Sequence, residues 1–178
     1  RCQIHLTRCL GPFWRVLFSL LMRIATALYA LVTAIWLGSQ MAIGYIAAPV
    51  LFSQLADRTL AGNVAGAMFS VMAWVSLACG AYLLSYVITI KRRDVFRSSV
   101  FWLVICMLGI TVISHFGIQP LLAQIKHDAL PLPVTESAFH ERFALWHGVS
   151  SGLYLLQTML GVALVIVQND GKFSGKKS

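Results

Sequence analysis

Acidic side chains are nearly missing from this chain, with six Asp and Glu among 178 residues and only 11% of residues charged at all. A soluble domain carries about a quarter charged residues, so too little ionic surface is present to face water. A disordered chain and a coiled coil, both of which need abundant charge, are excluded on the same ground. Cysteine is scarce as well. Cys2, Cys9, Cys79 and Cys106 form no Cys-x-x-Cys pair, which leaves neither a disulfide scaffold nor a metal or redox motif of that kind.

What the chain has instead is apolar length. No Asp, Glu, Lys or Arg falls in residues 24–56, 59–90, 98–125 or 143–169, runs of 33, 32, 28 and 27 residues. A membrane-spanning helix needs about 20 predominantly apolar residues. In lipid each backbone group must be satisfied within its own segment, and the runs lack the alternation of barrel strands, so they are helices. The sequence predicts an all-α, four-transmembrane-helix bundle with helices near 24–48, 63–90, 98–122 and 141–168. Pro49 and Pro120 should end or kink the first and third, because proline lacks an N–H and clashes with the preceding turn.

The net charge of +8 then reads as an orientation signal rather than a nucleic-acid-binding surface. Eleven of the 14 basic residues lie before the first run, between the second and third, or after the fourth; only Arg58, Lys126 and Arg142 lie on the other side. Positive side chains near spans stay cytoplasmic, so both termini are expected in the cytoplasm of a bacterial-type inner membrane. Residues 1–21 read as a leader or interfacial segment, too interrupted by Gly11, Pro12 and Arg15 for a fifth span, with Met22 a natural start. Residues 22–169 form the four-helix domain and 170–178 a polar cytoplasmic tail. Residues 49–62 read as a short interfacial helix, and 126–141 as the longest exposed stretch. A faint echo links Ala48-Pro49-Val50-Leu51 with Gln119-Pro120-Leu121-Leu122, at a level that chance similarity between apolar segments explains.

Polar residues within spans are costly and mark candidate sites. Gln40, His115 and His147 stand out, all in the outer half under this topology. If the third helix ends near Pro120, the two imidazoles meet at one level; if it runs straight to Ile125, they sit at different depths. Stripes of Thr26, Tyr29, Thr33 and Gln40, and of His140, His147, Ser151, Tyr154 and Thr158, keep helical spacing and suggest a shared interior seam. Two readings follow: hydrogen bonds that hold helices together, or a site for metal, haem or solute. Neutral imidazole ligates copper, and two histidines from neighbouring helices can hold a haem, which makes His115 and His147 the metal candidates and Gln40 their cofactor-binding neighbour. The pairs Gly62/Gly66 and Gly148/Gly152 have the spacing of helix-packing glycines, which suits a second copy or another membrane protein as partner, besides the bilayer itself. Trp36, Tyr45, Trp102 and Trp146 read as an aromatic belt, and Trp74 as deeper packing. Gly148-Val149-Ser150-Ser151-Gly152 imitates a nucleophile elbow, but that needs a strand-to-helix turn. His140-Glu141 lacks the second zinc-protease histidine, and no phosphate loop occurs. Nothing here marks an enzyme.

Trp36-Leu37-Gly38, Gly44, Ala48-Pro49-Val50-Leu51-Phe52, Ala61-Gly62, Phe69, Phe143 and His147-Gly148 together resemble the transmembrane-protein-205-like family, small four-helix membrane proteins classed as a domain of unknown function. The resemblance covers about residues 22–167; Trp36, Gly38, Pro49 and Phe52 belong to its motif, the Ala-x-Pro-x-x-Phe block ending at Phe52 is its strongest part, and His147 is a second anchor. It implies a four-helix membrane domain and no settled activity. By looser similarity such proteins sit beside copper-resistance D proteins and membrane protoporphyrinogen oxidases. That implies copper or haem at His115 and His147; the alternatives are a scaffold or assembly partner, or a small-solute transport component without cofactor.

Overall fold

The computed structural model describes residues 12–130, 134 and 137–174. Cys2, Cys9, Pro131, Pro133, Glu136 and the last four residues of the tail lie outside these. Helices α1 (Pro12–Met41) and α2 (Ala48–Gln54) make the first span together with an intervening π-helical segment, Ala42–Ala47. Helix α3 (Arg58–Lys91) is the second span. Helices α4 (Ser99–Val112) and α5 (Gln119–Asp128) flank a second π-helical segment, Ile113–Ile118, in the third. Helix α6 (His140–Ser174) is the fourth. All four are long and apolar enough to cross a membrane, and no strand occurs among the described residues.

Of the two outcomes expected at the prolines, an end or an irregularity within the helix, the structure shows the second: the first span continues to Gln54 and the third to Asp128. Proline cannot donate to the fourth residue back, and its ring crowds that carbonyl. A wider turn, closed by an i→i+5 hydrogen bond just before it, moves the carbonyl aside without breaking the rod. The residue preceding each proline closes such a turn, Ala48 N–H donating to the Ile43 carbonyl and Gln119 N–H to that of Ser114. Residues 48–54 are therefore the end of the first span rather than a separate interfacial helix. Position for position, the two π segments and their prolines sit in the same register. The echo seen in the sequence is a shared structural device.

Other boundaries move less. The second span starts at Arg58, five residues before its expected start, because Asp57 accepts from Thr59 N–H at 2.8 Å and Leu60 N–H at 3.2 Å. Such a cap stabilises a helix start by about 1 kcal/mol. Helix α1 begins at Pro12 and passes Met22 without a break. Helix α6 continues through Ser174, into the part of the sequence read as tail.

The second span packs on the third, the third on the fourth, and the first on both the second and the fourth, which makes an antiparallel ring. Trp36, Leu83, Val104, Met107 and Leu164 fill its centre with at most 1% of their surface exposed. Lipid is as apolar as leucine, so close packing rather than burial from water holds such helices together. Gly80 shows the tolerance: a Cβ there would stand 2.5 Å from Leu108 Cδ2. At the end of the bundle that carries the prolines, α2 packs on α3 and α5 on α6.

Candidate functional site

The first and fourth spans meet along uncharged polar residues. From α1, Tyr29, Thr33, Trp36 and Gln40 recur at steps of four, three and four, and all are buried. From α6 come Tyr154, Gln157, Thr158 and Gln168, and from α4 comes Thr111. Tyr154 donates its hydroxyl proton to the Gln40 carbonyl oxygen. Its ring lies directly on Gly44, where any side chain would collide with it, and meets Phe69 edge-on at 5.2 Å. The first wide turn begins two residues after Gln40, and this carbonyl takes a donor from another helix.

The network continues toward both ends. Tyr45 Oη donates to Thr158 Oγ1 at 3.4 Å, which donates to the Tyr154 carbonyl at 3.0 Å. Gln157 Nε2 donates to Thr111 Oγ1 at 2.8 Å, and that hydroxyl donates to the Met107 carbonyl. Deeper, Gln168 Nε2 reaches Thr33 Oγ1 at 3.5 Å; at the far end Thr26 Oγ1 and the Tyr86 hydroxyl lie 3.3 Å apart. Two atoms in the middle stand out. Trp36 Nε1 and Gln40 Oε1, one helical turn apart, are buried without any hydrogen-bond partner. Each residue is 1% exposed.

Of the sequence-predicted site residues, Gln40 occupies this seam and the histidines do not. His115 is half-buried between Trp74 at 5.7 Å and Phe116 at 4.7 Å, with its Nδ1 unpartnered. His147 is exposed and stacks on Phe143 of its own helix at 5.7 Å. No ring contact joins the two. Lys126, which lies 5.9 Å over Phe143, fixes their relative depth. His147 follows Phe143 by one turn, whereas His115 precedes Lys126 by three, a difference of roughly 10 Å along the axis at 1.5 Å per residue. The continuous third helix puts the imidazoles at different levels. Among the described residues no group of three or more His, Cys, Asp or Glu could hold a metal ion.

The predicted stripe on the fourth helix is interior only in its lower part. Tyr154 and Thr158 face the seam, but His140, His147 and Ser151 are exposed, and α2 packs on α3. Of the expected packing glycines, Gly62 has ordinary contacts, to Lys126 Nζ and Phe52, and Gly66, Gly148 and Gly152 meet open space within this chain. The glycines under tight contact are Gly44, Gly80 and Gly161. Trp36 belongs to the core instead of an aromatic belt, and Trp74, expected to be packing, is 59% exposed at the middle of α3. Sequence reasoning missed Thr111, Gln157 and Gln168. Their signal was available in Gln157, Gly161, Leu164 and Gln168, whose helical spacing marks one face of α6 with a glutamine at either end.

A family model described as a domain of unknown function (DUF4149) matches residues 31–130. The match includes Thr33, Trp36, Gln40, Thr111 and both proline-linked wide turns, and stops before α6. No curated protein and no solved structure matches the chain. With more than half its length covered, and with four apolar helices of spanning length, the chain belongs to the DUF4149 family of domains of unknown function and is an integral membrane protein by its architecture.

Proposed function

We propose that this protein takes up a small, uncharged, hydrogen-bonding solute into the seam between its first and fourth spans. The observation that carries this reading is the pair of buried, unpartnered atoms at mid-seam, the N–H donor of Trp36 and the carbonyl acceptor of Gln40. Buried polar atoms are almost always paired. A donor and an acceptor left open one helical turn apart match a molecule that both accepts and donates. Its neutrality follows from the lining of Tyr, Thr and Gln, since a charge without a counter-charge is expensive in such surroundings. In this reading the seam opens through the two wide turns, Ala42–Ala47 and Ile113–Ile118. Copper or haem shared by His115 and His147 has less support, because the two rings lie at different depths.

In this reading both termini and residues 91–97 face the cytoplasm of a bacterial inner membrane, supported by the distribution of basic residues. The resemblance to transmembrane-protein-205-like proteins fits the same architecture. Liposomes carrying the purified protein test the function. Stopped-flow light scattering after a glycerol or urea gradient should show faster re-swelling than protein-free liposomes, and Gln40→Leu should return the rate to the protein-free value. Equal rates with and without wild-type protein for both solutes contradict the proposal.

A further inference from the structure

The geometry points to a second site, at the opposite end of the bundle: we propose that the turn joining α3 to α4 holds the phosphate headgroup of an anionic phospholipid. Residues Arg92–Arg97 form a short 3-10 helix between two membrane helices. Its underside is anchored. Val95 and Ser98 are 5% and 3% exposed, Ser98 N–H donates to the Val95 carbonyl at 3.0 Å, and Trp102 Nε1 donates to the Phe96 carbonyl at 3.0 Å.

The upper side presents cations. Lys91, Arg92 and Arg97 are all exposed, and Asp94 is the acidic residue among them. No ion pair engages these three basic groups among the described residues. Lys91, Asp94 and Arg97, with Ile90, line an open depression of about 520 Å³. Lys91 Nζ is steadied by the Ser98 hydroxyl at 2.8 Å, which leaves α4 without a side-chain cap at its positive N-terminal end. Arg92 has φ 42°, the sole positive value among non-glycine residues described. A bulky side chain avoids that region, so the anchored turn imposes a conformation that the local sequence does not favour.

A lipid, rather than a free anion, is indicated by what surrounds the charges. Phe96 projects beside them with 68% of its surface exposed, and Trp102, 53% exposed, holds its indole N–H to the turn while its ring faces outward. Tryptophan in that posture marks the headgroup level of a bilayer. Cations at headgroup height with apolar rings just below match one phospholipid, its phosphate in the depression and its acyl chains along Phe96 and Trp102.

Full-length protein in a neutral detergent, supplied with equal amounts of phosphatidylglycerol and phosphatidylcholine and weighed intact by native mass spectrometry, tests this. Phosphatidylglycerol should be retained in preference. Each lysine or arginine near a membrane surface contributes about fivefold to anionic-lipid binding, so Arg97→Gln should weaken retention about fivefold and Lys91→Gln with Arg97→Gln about twenty-fivefold. Arg97→Lys should preserve it, and Arg142→Gln, at the other end of the bundle, should leave it unchanged. Equal retention of both lipids, or a double variant that behaves as wild type, overturns the proposal. So does displacement of the lipid by millimolar inorganic phosphate, which would assign the depression to a free anion.

Discussion

Burying the Gln40 carboxamide oxygen and the Trp36 indole N–H without partners costs about 1–3 kcal/mol for each group, whereas Thr33, Thr111, Gln157 and Thr158 beside them are bonded across helices. Interhelical hydrogen bonds in membranes contribute only about 0.6 kcal/mol each on average, so the bonded members of the seam do little to offset that cost. A residue kept for stability alone would not have this profile. Gln40→Met keeps length and removes the unpaired acceptor, while the Gln40 main-chain carbonyl still accepts from Tyr154. The variant should therefore gain stability, by up to about 1–3 kcal/mol in reversible unfolding in detergent, and lose solute uptake. A loss of stability of similar size would make Gln40 a packing residue.

At the scale of elements, the two wide turns organise the seam. The turn at Ala42–Ala47 sets the Gly44 backbone against the Tyr154 ring, and the one at Ile113–Ile118 follows Thr111, the partner of Gln157. If proline is what holds the turn open, Pro120→Ala restores the missing donor and allows an ordinary α-helical turn. Amide exchange across residues 113–118 should then slow by roughly tenfold, the equivalent of about 1.4 kcal/mol for one regained hydrogen bond, as read by hydrogen–deuterium exchange mass spectrometry. Unchanged exchange would mean that neighbouring helices, not the proline, impose the wide turn. This is also where the sequence was least transparent. Pro49 and Pro120 announced an interruption, but only packing decides whether a helix stops at a proline or widens and continues. That choice moved His115 to mid-bundle and separated it from His147.

For the whole molecule, the charge-free runs made four helices legible, since nothing else satisfies the backbone in lipid. The inward face of α1 was legible too, because Tyr29, Thr33 and Gln40 are polar exceptions at helical spacing. The N-terminal half of α6 was not. His147 and Ser151 keep the same spacing as Tyr154 and Thr158, and periodicity cannot reveal that the first two are left exposed. Nor could it reveal that Trp36 is core, since tryptophan is as common at a membrane interface as in a packed centre. The proposed orientation makes its own prediction: reporter fusions after Arg93 and Ser178 should register cytoplasm, and one after Pro133 the opposite side. Any other pattern would overturn the proposed cytoplasmic placement of the basic turn.

The central claim is that the seam opens to a polar solute, and cysteine accessibility tests it most directly. In a background with Cys2, Cys9, Cys79 and Cys106 replaced by alanine, Thr158→Cys occupies the buried seam and Leu155→Cys the exposed outer face of the same helix. A neutral, water-soluble methanethiosulfonate applied to protein in lipid membranes should modify Thr158→Cys and leave Leu155→Cys unreacted. Failure to modify Thr158→Cys, with full reaction after detergent unfolding, would show a permanently dry seam and contradict the account.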